Sequence, residues 1–318
     1  MKNIFREVLQ HQVISQKPPV LIDVGASGAL PEQWKWIAPF SICVAFDADT
    51  RDFSVGESTD KDYKKLYSLN RLVAATSSNE VDFHLTRSPY CSSSLHPDNR
   101  ALEPWAFRNL FDLEKTVKMP SIDLLQALDA CGVDYIDWYK TDSQGTDLRI
   151  FSALPEPVIS RSIVAEFEPG IIDAYIGEDK LHQLMSYMDK KPFWVSNMII
   201  KGSQRVDQED FDALNLLQRK SLGSFLKTAP GWCEISYINK FDEEGMGLRE
   251  YLLGWVFSSI KGEHGFALHL ARHGAEKYHD PLFNELLTSS RSALSVGYLR
   301  LAIKALNKVA RIVFGGGK

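Results

Sequence analysis

The sequence predicts an α/β protein: a mainly parallel seven-stranded sheet with helices on both faces, followed by a C-terminal helical extension. Three observations predict it. Short apolar runs recur at 20–22, 42–46, 135–139 and 163–167, each leading into charged residues. Stretches with helical spacing lie between later runs and beyond them, as at 121–130 and 178–190. Strands alternating with helices need crossover connections, and crossovers give parallel pairing. The last two runs, 192–200 and 232–238, have no crossover in the usual position, so an antiparallel pair is expected at one edge.

The elements follow in order. Residues 3–13 read as a short amphipathic helix with Ile4, Phe5, Val8 and Leu9 on one side, ended by Pro18-Pro19. The run 20–22 is a buried strand that feeds the small-residue turn Asp23-Val24-Gly25-Ala26-Ser27-Gly28. A second strand spans 42–46 and ends at Asp47. A third is expected over 69–75, with 81–85 extending that region as a hairpin. Ser121 is the expected cap of a helix through Ala130, with Gly132 at its end. In the helix over 178–190, Leu181, Leu184, Met185 and Met188 share a face. Beyond residue 245 the chain reads as helices only.

Composition narrows the function classes. The 318 residues are 44% hydrophobic and 24% charged, which is ordinary globular composition. The net charge of −5 gives no general nucleic-acid footprint. Four scattered cysteines form no CxxC pair, which favours a reducing compartment. No apolar stretch reaches the ~20 residues of a spanning helix. The expected location is therefore cytoplasmic.

The first strand and turn carry the strongest local signal. A turn rich in small residues lets the backbone approach a ligand, and the helix behind it offers free N–H groups. A dinucleotide turn needs glycine at three set positions. Counted from Gly25, the other two are Ser27 and Leu30. The carboxylate of Asp23 at the strand end would repel a pyrophosphate and attract the ammonium group of a methionine moiety. This favours S-adenosylmethionine over NAD. Asp47, about twenty residues on, stands where a carboxylate accepts bonds from ribose hydroxyls.

Two later strand ends are charged. Lys140 and Asp142 end the fourth strand, two residues apart and on one face, as a site carboxylate with a partner lysine or as an ion pair at the sheet rim. Glu166 and Glu168 end the fifth, and Glu166 is the more deeply placed. A carboxylate there can accept the proton of a substrate hydroxyl. The alternative is that both acids only orient neighbouring loops.

LIDVGASGAL, AFDAD, SSSL at 92–95, VKMPSIDLL and YKTDSQGTDLRIF together resemble the FkbM-type methyltransferases in order and spacing, over roughly residues 18–200. The resemblance implies a class I methyltransferase fold, S-adenosylmethionine as donor and an oxygen acceptor such as a sugar, glycan or natural-product hydroxyl. By position it carries Asp23, Gly25 and Ala26 onto the donor-binding turn, Asp47 onto the ribose acid and Asp142 onto the acid beside the donor. Ser27 and Gly28 complete the candidate turn. Many members have the second glycine one residue after Gly28, and a glutamate–proline pair where this chain has Asp47-Ala48. The expected organisation is an N-terminal helix and linker at 1–19, a donor-binding domain at 20–240 and a helical extension at 241–318.

The expected catalytic residues are Asp142 and Glu166, with no metal. His269 and His273 stand four apart, a spacing that can chelate metal, but Leu270 occupies the place of the metalloprotease glutamate. His96, after the serine loop, is a third candidate base. The helix expected over 293–314 has a basic face of Arg300, Lys304, Lys308 and Arg311. It suits contact with an anionic membrane, although packing on the core is the favoured reading. Two other functions stay open: a nicotinamide-dependent oxidoreductase, and a non-catalytic protein retaining the fold. The acceptor and the oligomeric state have no signal in the sequence.

Overall fold

In a computed structural model of the chain, residues 2–26, 30–49, 51, 62–242 and 245–295 are described. Their strands are, in chain order, β1 (Val20–Val24), β2 (Ile42–Phe46), β3 (Lys65–Leu69), β4 (Leu72–Val73), β5 (Ser78–Thr86), β6 (Leu113–Ile122), β7 (Trp138–Thr141), β8 (Val164–Phe167), β9 (Phe193–Ser203) and β10 (Ala229–Asn239). Seven form one sheet in the order β3-β2-β1-β7-β8-β10-β9. Its first five strands pair in parallel. β10 runs antiparallel to both β8 and β9, which gives the antiparallel edge.

The short apolar runs become central strands because both faces are covered. All five residues of β1 are buried, as are all four of β8. Ile22, Val24, Val44, Phe46, Tyr139, Ala165 and Phe167 join one core cluster. Leu124 and Leu128 of helix Leu124–Ala130 pack into it, with Leu184 and Met188 of helix Leu181–Met188. Phe151 sits between two strands there, its ring 5.0 Å from Tyr139 and 5.1 Å from Phe167.

Several local expectations are corrected. The third strand of the large sheet is β3, not 69–75; Leu72–Val73 belongs to a second sheet of order β4-β6-β5. β3 is an edge strand with Lys65 and Ser68 exposed, so it carries no apolar run. β5 pairs with β6, a strand the sequence hides. β6 is mostly exposed and contains Pro120, which reads against a strand. Ser121 lies in β6. The cap of the next helix is Asp123, whose carboxylate accepts from Gln126 N and from Ser77 Oγ. Gly132 closes that helix at φ +68°.

The chain divides into two compact units, Pro18–Gly245 and Met1–Lys17 with the chain from Met246. The first helix, Lys2–Leu9, thus groups with the C-terminal helices instead of standing alone. Within that unit Phe5 meets Trp255 edge to face at 5.6 Å, and Arg249 Nε donates to Lys17 O at 2.8 Å. Gly274 lies against Phe283, where a Cβ would fall 2.2 Å from a ring carbon. The helix expected over 293–314 falls almost wholly outside the described residues. Among the described residues no helix is long and apolar enough to cross a membrane.

Candidate active site

The carboxyl ends of β1, β2, β7 and β8 open onto two adjoining clefts of the larger unit, where open α/β sheets bind ligands. The first, about 700 Å³ and open to solvent, is lined by Gly25, Asp47, Asp49, Arg71 and Asp142 among others. The second, about 1050 Å³ and likewise open to solvent, has walls of Phe107, Phe111, Tyr175 and Trp232, with Glu168 and Glu178 as further acids. Tyr90, Asp142 and Gln144 line both. Asp142 is therefore the acid at their junction.

Gly25 builds the floor of the first cleft. It stands at φ +80°, a conformation that favours glycine. A Cβ there would lie 2.2 Å from the carbonyl oxygen of Asp142. The turn is anchored by Gly25 N and Ala26 N, which both donate to Phe46 O at 2.9 Å. Asp47 ends β2, and its Oδ1 accepts from Asp49 N at 2.8 Å. Asp49 is gripped by Arg51, whose Nη2 lies 2.6 Å from Oδ2. Burial alone would raise the Asp49 carboxyl, but bonds from Arg51 and Ser92 outweigh it and hold it below the usual range.

The chain turns sharply after β7. Gln144 sits at φ +55° and Gly145 at φ +101°. The Gln144 side chain spans the turn: Nε2 donates to Asp142 Oδ1 at 2.5 Å, and Oε1 accepts from the Tyr175 hydroxyl at 2.8 Å. Ser93 of the serine loop donates to Gln144 O at 2.7 Å. Beneath the turn, the buried carboxylate of Asp147 accepts from Thr141 Oγ1, from Ser143 N and Oγ, and from Glu168 N. One side chain thus ties the end of β7 to the end of β8. A non-glycine residue held at positive φ by such contacts marks a site where local strain is maintained by its surroundings.

Electrostatics single out two acids. Burial and the neighbouring Asp147 push Asp142 up to about 6. Burial, then Asp142, Glu234 and Asp147, push Glu168 up to about 9, against a hydrogen bond from Trp232. Asp147 is raised as well, chiefly by burial.

The expected site residues separate into groups. Gly25, Asp47 and Asp142 come together in the first cleft. Ala26 is buried in the turn behind it. Ser27 and Gly28 lie outside the described residues. Asp23 lines neither cleft: its Oδ1 is 2.6 Å from Lys140 Nζ. Strand alternation turns Asp23 away from the Ile22 and Val24 face, into a pair with the lysine expected beside Asp142. Burial pulls the Lys140 ammonium down, but Asp23 outweighs it and holds it above the usual lysine value.

Glu166 also lines neither cleft. Still within β8, it accepts from Trp138 Nε1 at 2.8 Å, Ser236 Oγ at 2.9 Å and Gln33 Nε2 at 3.1 Å. The acid of this strand end that reaches a cleft is Glu168. His96 lines neither cleft and lies against His84, ring centroids 5.1 Å apart. His269 and His273 face each other at 4.2 Å. Among the described residues no three His, Cys, Asp or Glu side chains are grouped to hold a metal. Gln144, Tyr175 and Trp232 line the second cleft although none was among the expected site residues; only Gln144 falls within a motif, YKTDSQGTDLRIF.

Compared with protein-family models, with curated proteins and with solved structures, the chain finds no match.

Proposed function

We propose that this protein is an S-adenosylmethionine-dependent O-methyltransferase of the FkbM type, acting on a hydroxyl of a sugar, glycan or natural product. The observation that carries the reading is the meeting of two clefts at Asp142, over the carboxyl ends of the sheet. A two-substrate transfer needs two adjoining sites that share one reacting point, because alignment supplies much of the rate. The residues of the first cleft fit the donor. Gly25 leaves no space for a side chain between the turn and Asp142, and Asp47 stands at the end of β2 for ribose hydroxyls. A carboxylate at the junction suits a ligand that carries positive charge on sulfur. The donor, when bound, supplies a methyl group already activated by that charge. The aromatic walls of the second cleft suit an acceptor with an apolar ring face.

The test is equilibrium binding to the full chain. Wild type binds S-adenosylmethionine and its demethylated product but not NAD. Asp47→Ala weakens both by more than about tenfold, since bonds to a charged group contribute roughly 1.5–3 kcal/mol each. Unchanged affinity in the variant removes Asp47 from the site, and preferential binding of NAD favours the oxidoreductase.

A further inference from the structure

The acids after β7 and β8 are drawn to one place by a third. β7 and β8 pair in parallel as far as Lys140 opposite Glu166, and Asp142 and Glu168 each follow two residues later. The Asp147 carboxylate holds both strand ends, accepting from Ser143 N at 2.9 Å and from Glu168 N at 2.7 Å. Both carboxyls line the second cleft, and Asp142 lines the first as well. Among the described residues, no Lys, Arg or His lines the second cleft. Of the nearby cations, Lys140 pairs with Asp23 and only partly offsets the rise of Asp142, Lys180 pairs with Glu178 at 2.9 Å, and Lys201 pairs with Glu234 at 3.1 Å. Asp147 and Glu234 add negative charge around the pair. The first cleft adds Arg71, Asp47 and Asp49, the last paired with Arg51.

We infer that Glu168 is the catalytic group that takes the acceptor's proton, and that Asp142 and Glu168 hold one proton between them until a positively charged donor occupies the first cleft. Two carboxyls in such proximity do not both ionise readily without a counter-charge. The raised affinity of both for protons agrees with this placement. A positive sulfur beside Asp142 supplies the missing charge and releases the shared proton. Glu168 is then ionised when it is needed. In the transfer, the bond from acceptor oxygen to methyl carbon forms as the carbon–sulfur bond breaks. The electron pair goes to sulfur, and the hydroxyl proton goes to the Glu168 carboxylate. The inference rests on the donor reading above, and names the base and its switch within that site.

Titration calorimetry in phosphate and in Tris, whose ionisation heats differ, counts the protons released on binding. At about pH 7.5, S-adenosylmethionine releases about one proton per chain more than S-adenosylhomocysteine, whose sulfur is neutral. Glu168→Gln removes at least half of that difference while both ligands still bind. The variant is also the reference for protons exchanged by the ligands' own amino groups, which are common to both proteins. Glu166→Gln, with its fold checked by circular dichroism, keeps the difference. Equal release for the two ligands, or a difference that persists in Glu168→Gln, overturns the inference while leaving the donor reading intact. If wild type binds neither ligand, the donor reading fails and the inference with it.

Discussion

At the scale of single residues, two positions of chain separate an acid enclosed by hydrogen-bond donors from one that lines a cleft. Glu166 meets three donors inside β8 and sits among them as a partner. Glu168, one step past the strand, meets a cleft and further acids. Its elevation has a consequence for stability. From the ordinary value of 4.5 to the folded value of about 9, the folded chain keeps a proton that the unfolded chain has released. That contribution to stability therefore falls as pH rises through the window. Glutamine cannot ionise, so Glu168→Gln raises the melting temperature, more at about pH 8 than at about pH 5. Melting curves across that range check it; an equal shift at both ends would show that the side chain titrates normally. The charged strand ends were legible because charge is rare in buried strands. Which acid meets solvent was not, since alternation fails once the chain leaves the strand. The Asp23–Lys140 pair was hidden for the related reason that it forms between neighbouring strands, across 117 positions of sequence.

At the scale of elements, the turn after β1 and the turn after β7 form one device. Each has a residue at positive φ, and Gly25 touches the backbone of Asp142 with no space between. Gly25→Ala therefore strains its own backbone and drives a Cβ into a carbonyl oxygen. We expect it to lower unfolding stability by at least about 2 kcal/mol and to weaken donor binding in parallel. Urea unfolding and a binding titration read the two effects; an unchanged midpoint with unchanged affinity would mean that the turns move apart freely. The strands of the large sheet were legible where both faces are buried, as in β1, β2 and β8. The small sheet was not, because β6 is exposed over most of its length and is held by pairing with β5 instead of by burial. Asp123 took the cap expected of Ser121 because its carboxylate reaches both a backbone N–H and Ser77.

At the scale of the whole molecule, the alternation of strands and helices foretold a mostly parallel seven-stranded sheet with an antiparallel edge, which the structure has. The grouping of the first helix with the C-terminal helices was not legible, since it depends on contacts such as Phe5 with Trp255 between the two ends of the chain. The two clefts were legible only in part. The first is built largely from motif residues at strand ends. The second draws its walls from segments far apart in sequence, among them Phe107, Tyr175 and Trp232, none of which carries a local signal. In the proposed arrangement the first cleft holds the donor and presents its sulfur to Asp142. The decisive measurement is a crystal structure of the protein with S-adenosylhomocysteine. We expect the ribose beside Asp47 and the sulfur facing Asp142 at the junction of the clefts. Ligand seated in the aromatic cleft, or an empty first cleft at saturating ligand, would contradict it.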